Sequence, residues 1–161
     1  MKKNEVKMNN KGFSLVELIV VIAIMAVLVG VLAPVFIRYV EKAREGTDLQ
    51  NLDSAITAVE SYCADKENLG TTTITLTLGS AVTATIDANA TVTLTDIQQD
   101  LVDSGIIANP TDSLPMKGNQ WTDTGNTPPS CVYTPATGGK VYSGNSKYYQ
   151  PATDQKSIVA K

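Results

Sequence analysis

The feature that most constrains this chain is an apolar run near its N-terminus. Residues 18–37 are twenty consecutive positions without a charged or strongly polar side chain. As an α-helix, at about 1.5 Å per residue, the run is about 30 Å long, which matches the hydrocarbon core of a bilayer. One acidic residue, Glu17, directly precedes it. We therefore expect a membrane-spanning helix that anchors a soluble C-terminal head.

A short basic leader precedes the apolar run. Residues 1–12 carry four lysines and one glutamate, a net charge of +3, which predicts a cytoplasmic leader and a head outside the membrane. An ordinary secretory signal has its small cleavage-site residues after the apolar core. Here the small residue Gly12 comes before the core, so cleavage after Gly12 would remove only the leader and keep the helix.

The composition argues against nucleic-acid binding and against enzymatic activity. After residue 12 there are nine basic and fifteen acidic residues, so the head is mildly acidic and offers no clustered basic face. The chain contains no His, the commonest general base and metal ligand, so Ser14 and Ser130 have no His to activate them. We therefore expect no catalytic residues, no metal and no cofactor.

One loop-rich region contains oxygen-bearing side chains of the kind that bind Ca²⁺. They are Asp112, Asn119, Asp123 and Asn126. Their spacing matches no EF-hand loop, and Asp and Asn are favoured in turns for backbone reasons. We interpret them as turn residues.

Helical periodicity continues beyond the apolar run. Apolar residues at spacings of three and four predict a helix stripe that packs on a sheet. The stripe consists of Leu49, Leu52, Ile56, Val59 and Cys63. Polar residues between them, Asp48 included, are predicted to face solvent. We expect one helix from about residue 13 to residue 66, ended by Asn68 and Gly70.

Pro34 is predicted to weaken this helix. It has no N–H to donate to the carbonyl of the residue four positions back, which is Gly30, itself a weak helix former. The Gly30–Pro34 segment is either a kink of the kind that membrane helices tolerate or a hinge used in assembly. A second soft interruption is expected at Gly46.

The rest of the chain predicts an antiparallel sheet, so the fold class is α+β, with a long N-terminal helix packed on an antiparallel β-sheet head. Strands are expected at residues 72–78, 82–86, 91–94, 131–133 and 140–142, with a short helix at 96–104. Thr95 is the expected helix cap and Gly105 the expected stop. Residues 109–130 are predicted to form a loop around Trp121, and the tail with Tyr148 and Tyr149 to add an edge strand.

The run at residues 11–24, KGFSLVELIVVIAI, resembles the N-terminus of type IV pilins and pseudopilins. The pattern of that family is a basic leader ending in Gly, then Phe, a Glu at the fifth position counted from the Phe, and a long apolar helix. Gly12, Phe13 and Glu17 stand at these positions, and Pro34 falls where such pilins commonly carry a proline. The resemblance is strong over residues 11–37 and vanishes in the head.

The resemblance implies a processing and assembly route. A prepilin peptidase would cut between Gly12 and Phe13, the new Phe13 amine would be methylated, and the pilus assembly machinery would stack the helices of many copies into an extracellular filament. Such filaments serve adhesion, surface motility or aggregation. The chain then divides into leader 1–12, membrane and filament-core helix 13–37, amphipathic helix 38–68 and head 69–161.

Glu17 needs a partner, because a lone carboxylate near lipid is costly. No basic residue occurs between residues 13 and 37, so the membrane helix itself supplies none. The candidate partner is the Phe13 amine of a neighbouring subunit, and the alternative is that Glu17 reaches the lipid headgroups from its shallow position.

The two cysteines depart from the family pattern. Many pilins close a C-terminal loop with two late cysteines, whereas here Cys63 lies in the predicted helix and only Cys131 is late. A Cys63–Cys131 disulfide would tie helix to sheet in an oxidising exterior. A buried free Cys63 is the other interpretation.

Two further functions remain open from the sequence. Within the family, the chain could be a pseudopilin of a type II secretion or DNA-uptake system. Outside it, the chain could be a non-polymerising, single-pass surface binding protein. Position 17 separates an assembling helix of this family from a simple anchor, because an anchor has no use for an acid there.

Overall fold

The computed structural model describes residues 12–161, so the predictions made for residues 1–11 lie outside the described part of the chain. The chain divides between Tyr39 and Val40 into two compact units. One helix, α1 (Leu15–Ala64), supplies the described N-terminal unit and continues into the C-terminal unit. The predicted long helix is therefore confirmed, and it ends just before Asn68 and Gly70, which both have positive φ.

The helix α1 is unbroken at its predicted weak points. It continues through Pro34 and through Gly46, so neither residue interrupts it in this state. A Cβ atom at Gly30 would meet nothing within 4 Å, so the surroundings of that glycine are open. The hinge at Gly30–Pro34 stays a prediction.

The C-terminal unit contains a second helix, α2 (Leu94–Asp103), and six strands. The strands are β1 (Thr73–Thr77), β2 (Thr83–Thr85), β3 (Thr127–Thr134), β4 (Gly139–Asn145), β5 (Tyr149–Pro151) and β6 (Ile158–Ala160). Four strands form an antiparallel sheet in the order β2-β1-β3-β4, and β5 pairs with β6. The predicted α+β architecture is confirmed.

The predicted apolar stripe of α1 lies in the core of this unit. Leu52, Ile56, Val59 and Cys63 are buried there, whereas Leu49 is only half-buried. Inward side chains of the sheet and α2 complete the core, among them Ile74, Leu76, Cys131, Ile97 and Leu101. Because full burial of an aliphatic side chain contributes about 1.5–3 kcal/mol, this stripe stabilises the helix against the sheet.

The hairpin of β3 and β4 contains the two segments predicted for it, residues 131–133 and 140–142. Cys131 is opposite Tyr142, and Tyr133 is opposite Lys140. However, β3 begins at Thr127, inside the segment predicted as loop, and its register shifts between Thr127 and Ser130. At this irregularity a Cβ atom on Gly144 would lie 2.6 Å from the Cα atom of Pro129, so only glycine fits there.

Three local predictions are wrong. The cap of α2 is Thr93 rather than Thr95: the Thr93 hydroxyl accepts from the Asp96 N–H, and the Asp96 carboxylate accepts from the Thr93 N–H. This capping box starts the helix where a strand at residues 91–94 was expected. Tyr149 does not extend the main sheet, because β5 pairs with β6 in a separate hairpin. Gly105, with φ of 72°, does follow the end of α2 as predicted.

Candidate assembly site

The first turn of α1 brings Ser14 and Glu17 together. The Ser14 backbone N–H donates to Glu17 Oε2 at 2.8 Å, and the Val16 N–H is 3.4 Å from Ser14 Oγ. Ser14 therefore occupies the cap position and Glu17 lies three residues later, so the carboxylate satisfies a backbone donor that a helix start otherwise leaves unpaired. The spacing of Ser14 and Glu17 was visible in the sequence, and the S-x-x-E signature could have predicted this cap.

The predicted cleavage site lies outside the helix. Gly12 and Phe13 precede the first helical residue, Leu15, and both are exposed, with Phe13 90% exposed. A peptidase needs an accessible backbone that is not held in a helical hydrogen-bond ladder. The Gly12–Phe13 bond meets that requirement, because the cap at Ser14 starts the helix only after it.

The N-terminal half of α1 presents a continuous apolar surface. Large apolar side chains at residues 18–37 are between 45% and 69% exposed, and the most apolar 18-residue window of the helix, whose mean hydropathy is 3.1, has no buried residue. Within residues 12–161, α1 is the one helix long and apolar enough, by length and composition, to cross a membrane. Exposed apolar surface of this extent marks contact with lipid or with other protein.

The remaining predicted site residues lie elsewhere. Gly30 and Pro34 are exposed in the interior of α1, and the structure does not bring them to Glu17. Cys63 and Cys131 are buried in the C-terminal unit as free thiols, and a disulfide between them stays a prediction. Burial raises the pKa of each thiol to about 11, which keeps both protonated and unreactive near neutral pH.

The candidate Ca²⁺ residues serve as turn and loop residues. The Asp112 carboxylate accepts from the backbone and side-chain nitrogens of Asn109, and the Asn126 side chain donates to the Gln120 carbonyl. Among residues 12–161 no group of three or more His, Cys, Asp or Glu is arranged to hold a metal ion.

An acidic cluster on α1, which the sequence patterns did not predict, holds a distant loop. This acidic clamp consists of Glu41, Glu45 and Asp48; Glu41 and Asp48 bind the loop, and Glu45 between them binds the Ser146 hydroxyl. Asp48 was predicted to face solvent, yet both Asp48 and Glu45 are completely buried. The reason is that the Asp48 carboxylate accepts from the backbone N–H groups of Lys117 and Gly118, each at 2.7 Å.

Glu41 extends the same contact along the loop. Its carboxylate accepts from the backbone N–H of Asn119 and, at 3.2 Å, from that of Gln120. Four consecutive amides of the loop at residues 117–120 therefore bind carboxylates of one helix. The spacing of the three acids, four and then three residues apart, follows the helical period and was the available signal.

Comparisons with known proteins match the N-terminal features. Residues 7–33 match the family model described as the prokaryotic N-terminal methylation motif. The chain is 30% identical over 67 residues to the type IV major pilin protein PilA of Myxococcus xanthus, which covers 42% of this chain and 30% of that protein. It is 43% identical over 65 residues to prepilin peptidase-dependent protein A of Clostridium perfringens, which covers 40% of this chain and 46% of that protein.

The matches therefore span less than half of this chain and less than half of either relative. No solved structure matches. The part that matches the family model contains Gly12, Phe13 and Glu17, whose geometry is described above. Residues 7–33 therefore carry the prokaryotic N-terminal methylation motif, and the chain is similar to proteins named as a type IV major pilin and a prepilin peptidase-dependent protein.

Proposed function

We propose that this chain is the precursor of a type IV pilin, a structural rather than catalytic protein, and that its mature form is the major subunit of an extracellular filament. The observation that carries the proposal is the exposed apolar surface at residues 18–37, headed by Glu17 and preceded by an accessible Gly12–Phe13 bond. A globular protein would bury such a surface, and a simple membrane anchor would not need the acid.

The proposed route has three states. The precursor waits in the membrane, with lipid around the N-terminal half of α1 and the head outside the cell. A prepilin peptidase then removes residues 1–12, and the Phe13 amine is methylated. The pilus assembly machinery finally moves the subunit into a homo-oligomeric filament, where the apolar surfaces of neighbouring copies replace lipid. Adhesion, surface motility and aggregation are the tasks proposed for the filament.

Glu17 sets the register between subunits in this proposal. Within residues 12–161 its carboxylate accepts one hydrogen bond, from the Ser14 N–H, and forms no ion pair. Cleavage creates a positively charged Phe13 amine on every copy, and an ion pair in an apolar surrounding is strong when both partners are otherwise unpaired. An axial position that places the Phe13 amine of a neighbouring subunit beside Glu17 is therefore favoured over other axial positions.

The Gly30–Pro34 segment is proposed as the place where the helix extends during extraction. Pro34 leaves the carbonyl of Gly30 without its helical donor, and a substituent on Gly30 would meet no neighbouring atom, so the backbone can change there at low cost.

Intact mass spectrometry of protein sheared from the surface of native cells tests the proposal. We expect a species that begins at Phe13 and carries one added methyl group. The same species found only in membranes would instead support a pseudopilin of a secretion or DNA-uptake system. Recovery of residues 1–12 still attached, in cells with an active prepilin peptidase, would leave a non-polymerising membrane anchor.

A further inference from the structure

The C-terminal unit buries one acid of the clamp without satisfying it. Glu45 is completely buried, and its Oε2 accepts from the Ser146 hydroxyl at 2.5 Å. Its other oxygen, Oε1, has no hydrogen-bond partner among residues 12–161, and neither does the buried Nε1 of Trp121. Buried polar atoms in folded proteins are nearly always paired, so this pocket of unpaired groups needs an explanation.

The side chains of Glu45 and Trp121 both lie close to Gly118 of the loop. A Cβ atom on Gly118 would lie 2.7 Å from Glu45 Cγ and 3.0 Å from Trp121 Cδ1. The indole of Trp121 also stacks on the ring of Tyr149, with centroids 6.1 Å apart. Ser146 in turn accepts from the N–H groups of Tyr148 and Tyr149, so Glu45 lies beside Gly118 of the loop and is linked through Ser146 to the start of β5.

The charges around Glu45 oppose its ionisation. Glu41 and Asp48 approach from α1, and Asp123 from the loop, so the nearby carboxylates are all of like sign. Tyr149 faces it from β5, and the Lys161 ammonium binds the Ser146 carbonyl rather than Glu45. Arg44 pairs with Glu41 at 3.6 Å. No described cation contacts the Glu45 carboxyl group within residues 12–161.

We propose that Glu45 is a proton-operated latch: the folded unit holds its carboxyl group neutral, and ionisation loosens the loop at residues 117–126 from α1. A neutral carboxyl group has a smaller desolvation cost than a buried carboxylate, one oxygen of which has no hydrogen-bond donor among residues 12–161 to offset that cost. Protonation of Glu45 therefore tightens the loop, and its ionisation as the pH rises loosens it.

The pKa of Glu45 is shifted in the direction that this geometry requires. Burial raises the pKa of Glu45 above its ordinary value of 4.5, the Ser146 hydrogen bond opposes the rise, and Glu41, Asp48 and Asp123 add to it. A raised pKa in the folded state means that the stabilisation is complete below pH 4.5 and is lost as the pH rises through the folded value. The equilibrium between the closed and the open loop changes about tenfold for each unit by which the pKa of Glu45 in the folded state exceeds its pKa in the unfolded chain.

Carbon-13 NMR of the Glu carboxyl groups in the full chain, held in detergent micelles, tests the latch directly. We expect the Glu45 signal to titrate above pH 4.5, and amide hydrogen exchange at residues 117–120 to lose protection over the same range, after correction for intrinsic exchange. Trp121 fluorescence is expected to shift in parallel. Titration of Glu45 at or below its ordinary value would overturn the proposal without any variant.

A pair of variants separates the latch from general pH effects. Glu45→Gln keeps the shape and stays neutral, so protection of the loop is expected to persist through the pH range in which the wild type loses it. Glu60→Gln is the matched control, since Glu60 lies on the same helix but pairs with Lys140 at 2.7 Å, and it is expected to keep the wild-type transition. The same loss of protection in Glu45→Gln as in the wild type would assign the transition to another group and overturn the latch.

Discussion

The carboxylate of Asp48 lies 2.7 Å from the backbone nitrogen of Gly118, a residue seventy positions later in the chain. A second oxygen of the same side chain lies 2.7 Å from the backbone nitrogen of Lys117. Hydrogen bonds from backbone N–H groups to a carboxylate are charge-assisted and stronger than neutral ones. This contact attaches a loop without regular secondary structure to the helix α1, and it places Trp121 in a completely buried position.

Removal of the Asp48 carboxylate is expected to destabilise the C-terminal unit. Asp48→Ala leaves two backbone donors of the loop unpaired, at a cost of about 1–3 kcal/mol for each buried group. Thermal unfolding followed by circular dichroism, together with Trp121 fluorescence, measures the effect. Asp65→Ala is the control, because Asp65 is exposed beyond the end of α1, and it is expected to change stability by less than about 0.5 kcal/mol. Equal effects of the two variants would contradict the clamp.

The capping box of α2 predicts a difference between two neighbouring threonines. Thr93→Ala removes the hydroxyl that accepts from the Asp96 N–H and is expected to cost about 1 kcal/mol. Thr95→Ala changes a residue inside the first turn of α2 that is not the N-cap. Because alanine is a good helix former, the effect on stability is expected to be small. Denaturant unfolding of both variants decides which threonine starts the helix. A larger loss for Thr95→Ala would refute the assigned cap.

Replacement of Glu17 tests its proposed role in filament assembly. Glu17→Ala is expected to leave cleavage between Gly12 and Phe13 intact, because the scissile bond lies outside the helix, but to lower the yield of sheared filaments strongly. Intact mass measures the cleavage and electron microscopy of the sheared fraction measures the yield. Glu67→Ala, which changes an exposed acid just beyond the end of α1, is the control and is expected to assemble normally. Unchanged filament yield in Glu17→Ala would remove Glu17 from the assembly mechanism.

The buried thiols predict a protection pattern against alkylation. Because burial raises the pKa of Cys63 and Cys131 to about 11, the reactive thiolate is scarce at pH 8, and both sulfur atoms are inaccessible. Iodoacetamide is expected to leave both residues unmodified in the folded chain and to modify both after denaturation without reductant. Mass spectrometry reads the number of adducts. Modification in denaturant only after reduction would reveal a disulfide between them.

Predictions that depend on near neighbours in the sequence agree well with the structure. The apolar run, the extent of α1, the alternation in β1 and the hairpin of β3 and β4 all follow from side-chain period and turn residues, which act over a few positions. The local sequence pattern also places Gly12 and Phe13 directly before the apolar helix. The misplaced cap of α2 shows its limit: Thr93 and Thr95 both suit a helix start, and the choice depends on which one has Asp96 three residues later.

The membrane-length helix, the position of Glu17 at its start and the alternation of the strands all follow from the sequence, because each depends on a periodic or local pattern. The burial of Glu45 and Asp48 depends on long-range contacts. Acidic side chains on an isolated helix suggest a solvated face, but the amides of residues 117–118 bind Asp48, and the Ser146 hydroxyl binds Glu45, from distant parts of the chain. Long-range pairing of polar groups has no periodic signature, since any loop of suitable shape can supply backbone donors to a carboxylate.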